Sequence, residues 1–555
     1  MSRLGEVIFA RLAHESAKCA VRFLASDGGI RELSRAELTA QAFAVADLLD
    51  ARGIAPRAIV GVAMYSGPAL YASWLGCLWS GRIPTMVAPP SPRMEPQKYA
   101  AGLKGIVEHL DLAALMVDAA SGQALAGRIS DGVNVIELGE AAAASTTRRS
   151  VVATAPNSIS IIQHSSGTTG LQKSIPLTSE QILAHHAAYA ERIGLTQDDK
   201  IVSWLPLYHD MGFVAAFLLP LIAGLEITEF SPFDWANRPG ELLKAIDRYK
   251  STLCWMPNFA FAMLAEPRTL RSLPALDLSS VRAWINCSEP VMAATMETFL
   301  GALAPFSVRP RSVQPCYAMA ENVFAVSQMA PGEQRTLRVD RDLLRRDGVA
   351  RLTDGAGLAL ASNGECLGTT QVQVRDPEGK ALPDGRVGEF CLRGAHRFDG
   401  YLNRPDLTAA AIDGDGWYAT GDLGFRLDGH LYVTGRKKDI LILRGRNYYA
   451  QDIEDAVAAL DGIKSGRVVA FSLPNESQGT EKLVVLVELE DGQEARAGVI
   501  KLDIRNCIAQ NFDTTPSDVR VVPARWLVKS TSGKLARGEN RQKYMDLSAQ
   551  GAGSV

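Results

Sequence analysis

Residues 36–53, AELTAQAFAVADLLDARG, place apolar side chains at helical spacing and end on a glycine. The next run, AIVGVAMYS (58–66), is almost unbroken in its apolar character. The first pattern predicts a helix and the second a buried strand. ALYASWLGCLWSGRIPTMVAPP (69–90) then predicts helix, turn and strand. AALMVDA and SISIIQHSSG predict further strands, and the second of these runs directly into the loop HSSGTTGLQKSIPLT (164–178). Helical patterns alternating with short apolar runs indicate an α/β fold with mainly parallel sheets.

The texture changes after about residue 370. TTQVQVRDPEGKALPDGRVGEFCLRG alternates apolar and polar residues around PEGK and PDGR turns, which predicts antiparallel strands and a small barrel-like subdomain. HLYVTGRKKDILILRGRNYYAQDIEDAVAAL (430–460) predicts two strands, a turn and an amphipathic helix. RVVAFSL and KLVVLVEL supply two more strands of a smaller α+β unit, and SAQGAGSV at the end reads as a frayed tail. A chain of 555 residues is too long for one hydrophobic core. The basic turn at Gly435–Lys438 is the natural boundary, giving domains 1–435 and 439–555 around residues 436–438. The longest apolar run, 211–225, is too short to span a membrane and contains Pro220, so it predicts a buried helix.

Composition narrows the classes. The chain is 47% hydrophobic and 21% charged with a net charge of −3, which gives no footprint for nucleic acid or an anionic membrane. Its eight cysteines include no C-x-x-C pair, arguing against a zinc knuckle or disulfide framework and for a reducing, cytoplasmic setting. The N-terminus is broken by charges every few residues and lacks the apolar core of a signal peptide.

The loop after SISIIQ carries the first candidate chemistry. Backbone N–H groups, the hydroxyls of Ser165, Ser166, Thr168 and Thr169, and the cation of Lys173 together suit a polyphosphate. The Walker A pattern requires glycine directly before its lysine; here Gln172 precedes Lys173, and Gly170 stands three positions away. By itself the stretch is explained equally well as a Ser/Thr/Gly surface turn.

Six further stretches follow in fixed order: LPLYHDMGF (205–213), NCSEPV (286–291), CYAMAENVFAVS (316–327), WYATGDLG (417–424), GRKKDILILRGRNYYAQDIE (435–454) and KSTSGKLAR (529–537). With the loop they resemble the core motifs of the ANL superfamily of adenylate-forming enzymes, over almost the whole chain. The subgroup most resembled is the fatty acyl-AMP ligases. Residues 328–365 look like the extra segment of that subgroup, which in the family accompanies poor use of free CoA; a variable charged surface loop would look much the same.

The resemblance implies the ANL fold and ATP-dependent activation of a fatty or related carboxylic acid to acyl-AMP, with release of pyrophosphate. Transfer of the acyl group to the phosphopantetheine thiol of an acyl carrier protein would follow. It assigns the β- and γ-phosphates to Ser165, Ser166, Gly167, Thr168, Thr169, Gly170 and Lys173, and Mg²⁺ to Glu321. Tyr317 would stack on adenine, with Ala318, Met319 and Ala320 in the same segment and Ser288 and Glu289 beside the base. Asp422 and Arg436 would hold the ribose, and Lys534 would be the catalytic lysine on the mobile small domain. Lys438 matches the hinge, and Gly445 would face the pantetheine. His209 matches a gate residue, while Trp204, Asp210, Met211 and Phe213 belong to segments expected around the acyl pocket, as do Phe217, Met256 and Phe259. Each of these apolar residues would serve equally as plain core. Ser174 after Lys173, Ala450 in NYYAQD and CSEP in place of GAEP depart from the family pattern. An acyl-CoA ligase and an aryl- or amino-acid-activating ligase stay open, the last because Asp210 could pair with a substrate ammonium; a non-catalytic acyl-adenylate-binding homologue is the alternative of another class.

Overall fold

The structure is a computed structural model that describes residues 3–25, 27–90, 96–125, 133–139, 150–165, 173–355, 357–443, 446–475, 480–512, 514–529 and 535–552. Two large sheets dominate its first 435 residues. In the six-stranded sheet, strands Asn134–Leu138, Ala114–Asp118, Ile59–Ala63, Ile83–Met86 and Ile159–Ser165 run parallel, in that spatial order. Lys173–Thr178 closes the edge antiparallel to the last of them. Four of these strands, Ile59–Ala63, Ile83–Met86, Ala114–Asp118 and Ile159–Ser165, are those predicted from the apolar runs. The central strands are buried on both faces, as in Ala114–Asp118, because helices cover the sheet, while the edge strand Asn134–Leu138 is half exposed.

The thirteen-stranded sheet has a parallel half built on Val313–Ala318, Ala283–Asn286, Leu253–Met256, Lys200–Ser203, Glu226–Phe230 and Cys19–Leu24. Beyond Val313–Ala318 the ladder turns antiparallel, and there the alternating sequence after residue 370 finds its place. Gln371–Arg375, Gly388–Arg393, Tyr418–Leu427 and His430–Arg436 pair in succession and join the parallel half through Glu365–Cys366 and Ala325–Gln328. One continuous hydrophobic core runs through this region, from Leu4 to Leu431.

Residues 441–544 bury their own apolar side chains on the sheet Ile463–Asn475, Thr480–Leu489 and Asp518–Val522. Three strands, not two, precede the helix Ala450–Ala458: Arg446–Tyr449 pairs antiparallel with Ile440–Leu443. The polar RGRN turn hid this third strand, whose apolar alternation is only two residues deep. The final helix, Arg537–Ala552, runs through most of the stretch that had read as a frayed tail. The apolar run near 211–225 is a buried helical segment: Asp210–Phe213, a π-helical turn over Val214–Leu218, then Leu219–Ala223. Pro220 sits at the start of its last piece, where its missing N–H costs least. Among the described residues no helix is long and apolar enough to cross a membrane.

Residues 328–365 fold into a hairpin of Thr336–Val339 with Leu358–Ala361, carrying the helix Arg341–Asp347. Asp340 caps that helix by accepting from the N–H groups of Asp342 and Leu343.

Candidate active site

The candidate phosphate loop lies between two paired strands, with Ser165 opposite Lys173. Ser166, Gly167, Thr168, Thr169 and Gly170 lie outside the described residues, as does the side chain of Ser165. The departing strand leads straight into the helix Ser179–Arg192 through a capping box of Thr178 and Gln181. Ser174 is buried in that strand, and its carbonyl accepts from the N–H of Leu402 at 3.0 Å. That contact brings the segment carrying Tyr401 beside Lys173.

Lys173 Nζ stands 4.5 Å from the centre of the Tyr401 ring and 3.4 Å from its hydroxyl. The same hydroxyl donates to Glu321 Oε1 at 3.1 Å and lies 3.2 Å from the hydroxyl of Tyr418. Glu321 is therefore a buried carboxylate with one phenol and one cation near it. Burial raises its pKa; the hydrogen bond from Tyr401 and the charge of Lys173 work against the rise, while Asp210 adds to it. The turn that presents Glu321 is unusual. Val323 has φ +64° and ψ −55°, a conformation costly for a β-branched residue. Gln163 Nε2 holds this turn by donating to the Val323 carbonyl at 3.0 Å, and Phe398 N–H donates to the Glu321 carbonyl at 2.8 Å.

A second cluster adjoins the first. Tyr317 Oη donates to Asp422 Oδ2 at 2.7 Å, and Arg436 Nε meets Asp422 Oδ1 at 2.8 Å. Strand register places Asp422 directly opposite Arg436. Ala318, Met319 and Ala320 carry the chain from Tyr317 to Glu321; the N–H of Met319 donates to the Phe324 carbonyl.

The third cluster is His209–Met211. His209 Nδ1 is 2.6 Å from Asp210 Oδ1, which also accepts from the N–H of Met211 at 2.8 Å. Ser288, at φ +70°, reaches Met211 Sδ at 3.7 Å. Glu289 accepts from the N–H of Phe259 at 3.1 Å. Trp204 is stacked face to face on Trp235 at 3.7 Å, and Phe213 packs on Trp74 and Phe217 in the core.

Lys534 lies outside the described residues. Its described neighbours are nonetheless fixed. Lys529 pairs with Leu535, and Lys529 Nζ stands 5.9 Å from the ring centre of Phe259, beside Glu289. Arg537 binds Glu454 at 2.7 Å and Asp439 at 2.8 Å. The segment is thus fastened to the residue directly after Lys438. Burial and the charge of Arg436 lower the pKa of Lys438.

Sequence reasoning missed Tyr401, the hub between Lys173 and Glu321. Only its place in GYLNRP, a turn of small and polar residues around one large phenol, hinted at a role. It also missed a small, mostly apolar crevice at the C-terminal ends of strands from both sheets, beside Leu205–Tyr208. Trp204, Met211 and Phe213 do not line it. No group of three or more metal-ligating side chains occurs among the described residues, so a cation here would need oxygens from its ligand.

Comparison with known proteins agrees with this architecture. The family model for AMP-binding enzymes matches residues 9–402. The long-chain-fatty-acid–AMP ligase FadD32 of Mycolicibacterium smegmatis is 32% identical, over 72% of this chain and 70% of that protein. The medium-chain-fatty-acid–[acyl-carrier-protein] ligase JamA of Moorena producens is 28% identical, over 98% and 95%. A solved structure from the fatty acyl-adenylate ligases of E. coli and L. pneumophila superposes with a TM-score of 0.88 at 26% identity, covering 99% of each chain. The chain belongs to the AMP-binding enzyme family and is an AMP-forming ligase.

Proposed function

We propose that the protein activates a fatty or related carboxylic acid with ATP and passes the acyl group to the phosphopantetheine thiol of an acyl carrier protein in the cytoplasm. A carboxylate oxygen attacks the α-phosphorus of ATP, the bond to the β-phosphate oxygen breaks, and pyrophosphate leaves. The carrier thiolate then attacks the acyl carbonyl and AMP departs. Both reactants of the first step are anions, so the site must spread positive charge over the phosphates and keep them in line.

The observation that carries the reading is the convergence of Lys173, Tyr401 and Glu321 beside Tyr317, Asp422 and Arg436. In this reading Lys173 and the loop from Ser165 to Gly170 hold the β- and γ-phosphates. Tyr317 meets the adenine, Ser288 and Glu289 flank it, and Asp422 and Arg436 take the ribose. Glu321 would hold Mg²⁺ with the phosphate oxygens completing its shell, and the ion would neutralise phosphate charge. A buried carboxylate whose only side-chain donor among the described residues is a neutral phenol fits that role. Lys534 bridges the acid's carboxylate and the α-phosphate when residues 439–555 close over residues 1–435. Lys438, within 436–438, is the hinge about which they turn for the second step.

Two observations favour a fatty acid and a carrier protein. Asp210 is already engaged by His209 and the Met211 N–H, which leaves it poorly placed to pair with a substrate ammonium. Segment 328–365 also reaches the small domain: Arg345 binds Asp452 at 2.9 Å and the carbonyl of Asn511 at 3.2 Å. Such a strap restrains the turn about Lys438; a carrier protein has the surface to offset that restraint with contacts of its own, and free CoA has far less.

The test is acid-dependent pyrophosphate release, followed by CoA or holo carrier protein as acceptor. Acyl-AMP formation with transfer chiefly to the carrier is the expected result. Efficient CoA thioester formation would overturn the carrier-protein half; no acyl-AMP from any acid would overturn the whole.

A further inference from the structure

Gln163 lies in the strand Ile159–Ser165 of the six-stranded sheet, and Val323 in the connection between Val313–Ala318 and Ala325–Gln328 of the thirteen-stranded one. Both are buried, and one side-chain hydrogen bond joins them, from Gln163 Nε2 to the Val323 carbonyl at 3.0 Å. A carbonyl offers only lone pairs, so the atom of the Gln163 amide that faces it is the nitrogen. Strand register sets Gln163 opposite Ile175, two residues beyond Lys173. Its side chain therefore leaves the strand pair on the same face as that of Lys173. The bond ties the pair that carries the candidate phosphate loop to the turn that carries Glu321.

That turn is strained. The N–H of Phe324 donates to the carbonyl of Asn322 at 2.7 Å, a bond from residue i+2 to residue i that encloses Val323. With φ +64° and ψ −55°, Val323 is the centre of a γ-turn of the rare hand. A β-branched side chain fits that region poorly and holds it only under constraint from its surroundings. The N–H of Val323 also closes the single 3₁₀ turn Ala320–Asn322 by donating to the Ala320 carbonyl at 3.0 Å. Glu321 stands in the middle of that turn, so a shift of Val323 displaces it.

The turn's own bonds use the carbonyls of Met319, Ala320 and Asn322, while that of Val323 takes its proton from Gln163. On the other side, Phe398 N–H holds the Glu321 carbonyl, and Tyr401 links the Glu321 carboxylate to Lys173. Gln163 adds a hold from the six-stranded sheet itself, on the element that leads into the phosphate loop.

We infer that Gln163 is a positioning residue for adenylation: its amide keeps Val323 in the γ-turn and so keeps Glu321 in register with Lys173. It acts through Glu321 and not on a substrate. This inference rests on the reading that gives Glu321 a part in acid activation, and deepens it.

The experiment is a double-mutant cycle on the full chain, read as pyrophosphate release with octanoic, dodecanoic and hexadecanoic acids at saturating ATP. Gln163→Met removes the donor at similar volume and should lower kcat about fivefold, the scale of one net hydrogen bond. KM for the acid should change little, because the lost hold matters when charge is redistributed over the phosphates. Val323→Gly removes the strain, since glycine takes positive φ freely. In that background the same Gln163→Met change should cost less than about twofold. Equal losses in the two backgrounds would show that Gln163 merely packs, and would overturn the inference. So would no loss in either while Glu321→Gln abolishes release. If Gln163→Met does not fold, the double variant decides. Folded and as active as Val323→Gly alone, it supports the inference, and any other result overturns it. Release that survives Glu321→Gln unchanged would instead remove the reading of Glu321 on which this one stands.

Discussion

Tyr317 and Asp422, 105 residues apart in the chain, are joined by a hydrogen bond of 2.7 Å from phenol to carboxylate. Arg436 takes the other oxygen of Asp422 at 2.8 Å. The carboxylate is thereby clamped between Arg436 on the adjacent strand and Tyr317 on Val313–Ala318, three strands further along the same sheet. A group held in this way needs no reorganisation to accept a pair of hydroxyls.

Tyr317→Phe removes the clamp on one side and keeps the ring. A hydrogen bond to a charged partner contributes about 1.5–3 kcal/mol. If half of that is expressed in binding, KM for ATP rises by roughly 4- to 13-fold while kcat changes little. Titrating ATP in a pyrophosphate-release assay checks this; an unchanged KM would show that Asp422 is held well enough by Arg436 alone.

Tyr401→Phe tests the hub of the first cluster. Burial already raises the pKa of Glu321, and the Tyr401 hydroxyl opposes that rise. Losing the hydroxyl raises it further, so a larger share of Glu321 is protonated on the acid side. The acidic limb of the kcat/KM–pH profile should therefore move to higher pH, with the alkaline limb unmoved. A limb that stays in place would mean that Glu321 does not titrate in the step measured.

Ile59–Ala63, Ile83–Met86, Ala114–Asp118 and Ile159–Ser165 were legible because each is a short apolar run bounded by turn residues; Asn134–Leu138 and the parallel strands of the larger sheet were not read from the sequence. Tyr317, Asp422 and Lys173 were legible through motif order. Tyr401 and Glu229 were not. Glu229 lies in EITEF, whose alternation is that of a half-exposed strand; only the fold brings Ser66 and Tyr71 to it, from 163 and 158 residues away. The same holds for Arg345, one of several charges in VDRDLLRRD until the helix Arg341–Asp347 aims it at the small domain.

Glu229 gives a stability prediction with a definite sign. Its folded-state pKa, about 7, lies above the ordinary 4.5, so the folded chain holds this proton more tightly than the unfolded one. The contribution is fully present below pH 4.5 and is lost as pH rises through 7. The span corresponds to up to about 3 kcal/mol. Glu229→Gln cannot titrate there. The melting temperature of the wild type, relative to the variant, should fall between pH 5 and pH 7.5 and then level off. A difference that is flat over the whole range would place the Glu229 carboxyl in contact with water.

Arg345 offers the sharpest test of acceptor choice. Its guanidinium stands 4.4 Å over the ring of Phe512, in addition to its bonds with Asp452 and Asn511. All three partners lie in the small domain, whereas Arg345 lies in segment 328–365 of the large one. An isolated surface ion pair is worth little, but here one side chain, 12% exposed, makes three contacts across a proposed moving boundary. Arg345→Ala removes them together and touches none of the residues placed around the nucleotide. Acyl-AMP formation should stay within about twofold, because that step uses the closed arrangement the strap already favours. CoA thioester formation should rise several-fold, since the turn about Lys438 is then freer. Mass spectrometry of acyl-CoA against acyl-AMP, at matched acid and ATP, reads both quantities at once. If CoA use does not rise while Asp452→Ala and Arg345→Ala both leave the protein folded, the strap is a packing contact and the preference for a carrier protein must come from the thiol channel itself.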